Sequence, residues 1–124
     1  MLNAYLVLVN PDNSVQVRTV DKDGEPENLG FELENNYSNE NEIRNIFNNK
    51  VSFNRVRNGN FESNFLEKQD LNFKNLNDFY ESIEDEDSYI YVFKDNKWSQ
   101  IPNHFDVAEK LGQRLNFYKI GLLN

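Results

Sequence analysis

Residues 76–101 read LNDFYESIEDEDSYIYVFKDNKWSQI, and the change of period inside this stretch decides the fold class. Leu76, Phe79, Tyr80 and Ile83 recur at i, i+3, i+4 and i+7, the spacing of one helix face, which predicts a helix over Leu76 to Ile83. Glu84-Asp85-Glu86-Asp87 follows. Negative charge at the carboxyl end of a helix opposes its dipole, so the helix is expected to stop there. Ser88 to Lys94 then reads with period two, Tyr89, Tyr91 and Phe93 on one face and Ile90 and Val92 on the other. At least one of those faces is expected to pack on the preceding helix. Asp95-Asn96 turns the strand into a second one, Lys97 to Ile101.

Working outward, Ala4 to Val9 and Ser14 to Val20 read as two strands joined by Pro11-Asp12-Asn13, where Pro presets φ and the Asp and Asn side chains bond back to the backbone. The second of these strands alternates, with Val15, Val17 and Thr19 on one side and Gln16 and Arg18 on the other. Asp21 to Gly30 reads as a polar loop, followed by a short helical turn from Phe31 to Tyr37. Asn39-x-x-Glu42 is a capping pair ahead of an amphipathic helix, Glu40 to Asn49, with Ile43, Ile46 and Phe47 as its apolar stripe. Val51 to Arg57 and Asn60 to Leu66 flank Asn58-Gly59, which supplies the positive φ values of a tight hairpin turn. The weak alternation there predicts a partly exposed hairpin. Asp106-x-x-Glu109 opens a terminal helix through Val107, Leu111 and Leu115, and the apolar tail Phe117 to Leu123 is expected either to cover the sheet or to bury itself in a homodimer. The sum is a single α+β domain over residues 1–124: a small antiparallel sheet with two or three helices.

Composition narrows the function classes. The chain of 124 residues has no cysteine, which excludes disulfides, zinc–thiolate sites and cysteine nucleophiles. A net charge of −8 disfavours direct nucleic-acid binding, which needs a basic footprint, and fits a basic protein surface as partner. No signal-peptide pattern opens the chain and no apolar run approaches bilayer length, so no membrane role is expected and a cytoplasmic setting is. Asn is over-used.

The segment Asp23-Gly24-Glu25-Pro26-Glu27-Asn28-Leu29-Gly30, with Leu33 and Tyr37 after it, resembles a family of small tailed-phage proteins with a His-Trp-Asp-Gly-Tyr-Pro loop, a Gly four residues after the Pro, and a short acidic helix. Tyr89 to Trp98 is similar to that family's aromatic strand ending in Lys-Trp. Asp21 and Lys22 stand in place of the His and Trp, and Glu25 in place of the aromatic before Pro26. The resemblance implies a phage origin, with host cytoplasm as the setting, and no particular activity. Gly24 and Gly30 are expected to serve positive φ or close approach, and Pro26 rigidity.

No catalytic constellation assembles. His104 is the single histidine, with no nucleophile or metal partner discernible around it. Asp21, Asp23, Glu25 and Glu27 crowd one loop, but Gly24 falls too early for a calcium loop of the EF-hand kind. No phosphate-cradling Gly-rich loop is present, and no cofactor is implied. Two binding sets remain. Arg44, Arg55 and Arg57, with Lys50, Phe53 and Phe61 near them, have the chemistry to hold the phosphates and base of a nucleotide. Glu84, Asp85, Glu86 and Asp87 are a candidate contact for a basic protein. The expected function is a host-takeover or counter-defence protein, not an enzyme, that neutralises a host protein through its acidic surface. A dimeric sponge for a nucleotide signal is the alternative, and a metal-dependent hydrolase ranks behind both.

Overall fold

The computed structural model describes residues 2–22, 26–49, 56–57, 60–61, 65–84 and 88–101. In chain order the elements are β1 (Leu2–Val9), β2 (Val15–Lys22), α1 (Pro26–Asn36), α2 (Glu40–Asn48), β3 (Val56–Arg57), β4 (Asn60–Phe61), β5 (Phe65–Phe73), α3 (Leu76–Ser82), β6 (Tyr89–Lys94) and β7 (Lys97–Ile101). An apolar run without alternation has no polar face to offer water, so a strand built from it must be covered on both sides. Leu6, Val7 and Leu8 form such a run in β1, and Ile90 to Phe93 form another in β6; all of them are buried. These two strands lie side by side at the heart of a five-stranded sheet, ordered β5-β2-β1-β6-β7.

Helices cover both faces of this α+β domain. On one, Leu6 and Leu8 of β1 and Tyr91 and Phe93 of β6 meet Leu29 and Leu33 of α1 and Ile43, Ile46 and Phe47 of α2. On the other, Val7 and Val9, with Ile90 and Val92, meet Leu76, Phe79 and Tyr80 of α3 and Ile83 just after it. The expected packing of one β6 face on the 76–83 helix is therefore present, through Ile90 and Val92. Among the described residues, no helix is long and apolar enough to cross a membrane.

The pairing differs from an all-antiparallel sheet at one place. β1–β2, β2–β5 and β6–β7 are antiparallel, while β1 and β6 run parallel, with Leu6 opposite Tyr91. A parallel pair needs a long crossover, and the chain between β2 and β6 supplies it. Most of the expected polar loop Asp21–Gly30 is regular structure, because β2 continues to Lys22 and α1 starts at Pro26; residues 23–25 lie outside the described residues. A proline in the first turn of a helix lacks only an N–H that has no helical partner anyway, which is why Pro26 begins α1 instead of breaking it. Gly30 lies inside α1 and not at a left-handed position. A methyl built on it would stand 3.6 Å from the Tyr91 ring, an ordinary contact, so neither of the roles expected for Gly30, positive φ or close approach, is required here. Burial pushes the Tyr91 phenol up to about 12, and Tyr89 adds to the rise.

Of the expected hairpin of Val51–Arg57 with Asn60–Leu66, residues 51–55, 58–59 and 62–64 lie outside the described residues. Val56–Arg57 pairs with Asn60–Phe61, and Phe65 begins β5, a nine-residue strand of the main sheet that alternation did not reveal. The β2–β5 pairing steps from Thr19–Gln69 to Val20–Glu67, which leaves Lys68 as an extra residue on β5. A bulge of this kind switches which residues face which side, so a period-two reading across it fails. The terminal helix, the apolar tail and His104 lie outside the described residues.

α1 and α2 carry no basic residue in their last turns, so their carboxyl-terminal carbonyls need donors from elsewhere. The sheet provides them. Arg18, in β2, is 1% exposed. Its Nη2 donates to the Ile46 carbonyl of α2 at 3.2 Å, its Nε donates to Asp70 Oδ1 of β5 at 3.0 Å, and its guanidinium stands 5.2 Å from the Phe47 ring centroid. Trp98 Nε1 of β7 donates to the Tyr37 carbonyl, just past α1, at 2.6 Å. Asn39 and Asn75 cap the amino ends of α2 and α3, accepting from the backbone N–H of Glu42 and Asp78. The Asn39 cap is the one the Asn39-x-x-Glu42 spacing predicts.

Two stability outcomes follow from these contacts. Arg18→Ala removes a buried cation from a carbonyl, a carboxylate and a ring, and chemical denaturation should show a loss of about 3 kcal/mol or more. Gln16→Ala, which removes an exposed side-chain bond to Asn48, should cost under about 1 kcal/mol; equal losses would show that Arg18 is not a fold-holding contact. At the β6–β7 turn, Asp95 and Asn96 both have positive φ, 53° and 62°. That is the pattern of a type I′ turn, whose preferred second central residue is glycine. Asn96→Gly should raise the melting temperature, by an amount equivalent to roughly 0.5 kcal/mol.

Candidate ligand cleft at the end of the parallel strands

Because β1 and β6 run parallel, their carboxyl ends come out on the same edge of the sheet. Val9 and Asn10 end β1 there, and Lys94 and Asp95 end β6. The amino-terminal half of α2 crosses above them and contributes Glu40 and Arg44. Between these groups and the β1–β2 turn lies a cleft of about 270 Å³.

The turn that forms one wall is tied by its own side chains. Asn10 N–H donates to the Ser14 carbonyl at 2.8 Å and Asn13 N–H to the Asn10 carbonyl at 2.9 Å. Asn13 takes a φ of 70°, which Asn tolerates better than most residues. Asp12 Oδ1 accepts from the Ser14 backbone N–H at 3.0 Å and from its hydroxyl at 2.6 Å. These bonds, the hydroxyl's first, hold the Asp12 carboxyl below the usual carboxylate range.

A single chain of donors links this turn to α2. Arg44 Nη1 donates to Asn10 Oδ1 at 3.0 Å, and Asn10 Nδ2 donates to Ser14 Oγ at 3.0 Å. An arginine has only donors to give, so the Asn10 amide must present its oxygen to Arg44 and its NH₂ to Ser14. Ser14 then accepts from Asn10 and gives its own proton to Asp12. Arg44 Nη2 also reaches the Val9 carbonyl at 3.4 Å, and Glu40 lies 3.8 Å away on the same helix. The guanidinium side chain is 26% exposed, so it is held in place while keeping an edge in solvent.

Of the ligand residues expected from the sequence, Arg44 is in this cleft. Its partners come from the end of β1, the β1–β2 turn and its own helix. Arg57 and Phe61 belong to β3 and β4, where only the backbone is described, and Lys50, Phe53 and Arg55 lie outside the described residues. Glu84 is exposed just after α3, and Asp85, Glu86 and Asp87 lie outside. Asp21 is half-buried one residue before the end of β2; Asp23 and Glu25 lie outside the described residues, and of Glu27 only the backbone, in α1, is described. Among the described residues, no group of three or more His, Cys, Asp or Glu side chains is arranged to hold a metal ion. Sequence reading missed Lys94, Asp95, Glu40 and Asn10 as neighbours of Arg44. Two unbroken apolar runs, each ending in polar residues, were the available signal.

The pH dependence of the turn tests the donor chain. Asp12 ionises below the usual carboxylate range because Ser14 bonds its charged form, so its contribution to stability is present above that range and is lost as pH falls through the lowered value. In Ser14→Ala the Asp12 carboxyl should titrate at higher pH in a side-chain NMR titration; an unmoved titration would break the proposed link. Compared with protein-family models, curated proteins and solved structures, the chain matches none.

Proposed function

We propose that the protein is a phage-encoded accessory factor of the host cytoplasm that binds a basic surface on a host protein and neutralises it without catalysing a reaction. The observation that carries this reading is the outer surface of the α1–α2 layer. It carries Glu32, Glu34, Glu40 and Glu42, and the one cation of residues 26–49, Arg44, is bonded to the β1–β2 turn. In the middle of α1, Phe31 is 67% exposed, the large apolar side chain left in solvent among the described residues. Glu34 and Asn35, three and four positions on along the same helix, are exposed with it.

An exposed aromatic anchor with a carboxylate one turn along its helix fits a basic surface with an apolar pocket. The anchor supplies buried area, and the charges supply steering and register. Glu84 offers a second acidic point on the α3 side of the sheet, but with no exposed aromatic described beside it. The resemblance of the Asp23–Gly30 segment to phage proteins supports the origin.

The immobilised full chain, incubated with bacterial lysate, should retain a basic protein at low salt. It should release that protein as ionic strength approaches about 1 M, where screening shortens to about 3 Å. Phe31→Ala and Glu34→Lys should each abolish capture while leaving the melting temperature within about 2 °C of the parent, as surface changes do. Retention by both variants, or no salt-labile capture at all, would refute the assignment.

A further inference from the structure

We propose that the cleft at the carboxyl ends of β1 and β6 binds the zwitterionic head of a free amino acid. The charges on its walls come in two mixed pairs: Arg44 and Glu40 on α2, and Lys94 and Asp95 at the end of β6. Their formal sum is zero. A simple anion would gain from Arg44 and Lys94 and lose to Glu40 and Asp95, and a simple cation the reverse. A molecule carrying a carboxylate and an ammonium a few ångströms apart matches both signs at once.

Arg44 is preorganised for the carboxylate half. Its bonds to Asn10 Oδ1 and the Val9 carbonyl use two of the five N–H groups of a guanidinium. Those bonds fix the plane of the fork, so a carboxylate meeting the remaining N–H groups does not have to order a loose side chain. The Asn10–Ser14–Asp12 chain behind it fixes the Asn10 acceptor in turn. A volume of about 270 Å³ leaves room for the head of an amino acid.

The test is an NMR titration of the isotope-labelled full chain with L-alanine, L-glutamine and L-phenylalanine, and with propionate and ethylamine as the two halves of a zwitterion. At least one amino acid should shift the backbone amides of Asn10, Asn13, Arg44 and Asp95 saturably, with propionate and ethylamine binding at least about tenfold more weakly. Arg44→Gln and Lys94→Met should each weaken binding about tenfold or more. Lys94→Met keeps the test decisive if the loss of Arg44 disturbs α2. No saturable shift at those residues up to about 20 mM, a range that captures even weak millimolar binding, overturns the proposal. So does propionate binding as tightly as the amino acids, or undiminished binding by Lys94→Met. Phe31→Ala should leave this titration unchanged, so failure here and failure of the protein-binding reading are separate results.

Discussion

A guanidinium with almost no access to water governs how the helical layer sits on the sheet. Burying a charge is costly unless it is both paired and hydrogen-bonded, and Arg18 meets the requirement only if three separate elements arrive in register. β5 must place Asp70 directly opposite it, α2 must bring the Ile46 carbonyl down to it, and Phe47 must offer its ring. Moving any of the three strands the charge. The same contact gives α2 the positive group that its own last turn lacks. Trp98 serves the end of α1 in a related way, by donating its indole N–H to Tyr37. Neither donor belongs to the helix it serves, so on this face the helix ends are completed by tertiary contacts.

With its carboxyl-terminal half anchored by Arg18 and its amino-terminal half by Arg44, α2 is pinned at two points to the sheet beneath. That leaves its outward side, with that of α1, free to carry acid. It also explains why a chain with a large acidic excess buries an arginine: the cation is spent on holding the layer, and the surface that results is more acidic still. The cleft and the acidic helical face are thus products of one arrangement, seen from the edge and from the top.

Much of this was legible in the sequence because the relevant signals are local. The Asn39 cap, the Leu76–Ile83 stripe, the β6–β7 hairpin and the Pro11–Asn13 turn each depend on residues within a few positions of one another. What escaped were the long-range features. Arg18 read as the polar side of a half-exposed strand, since alternation cannot tell a solvated arginine from one roofed by a helix. β5 hid behind its bulge at Lys68, and α1 behind a Pro-Glu-Asn beginning that also suits a loop. The cleft depended on the parallel β1–β6 pairing. Its clue, apolarity without alternation in both strands, says that each is buried on two sides but not that they are neighbours. Asn over-use has a partial structural account: Asn10, Asn13, Asn39, Asn75 and Asn96 hold turns or caps that few other residues fit.

The parallel pairing of β1 with β6 also sets the order in which the protein can be completed as it is made. The β1–β2 hairpin can close soon after synthesis begins, but the other edge of β1 has no partner until residues 89–94 have emerged. At translation rates of about 5–20 residues per second that interval is several seconds, longer than the closing of a hairpin by a wide margin. Throughout it, β1 presents an unsatisfied edge, although the helices that cover its faces have been made before β6 emerges. The arrangement therefore places the nascent chain's greatest exposure to mispairing early, and the contact that ends it near the finish.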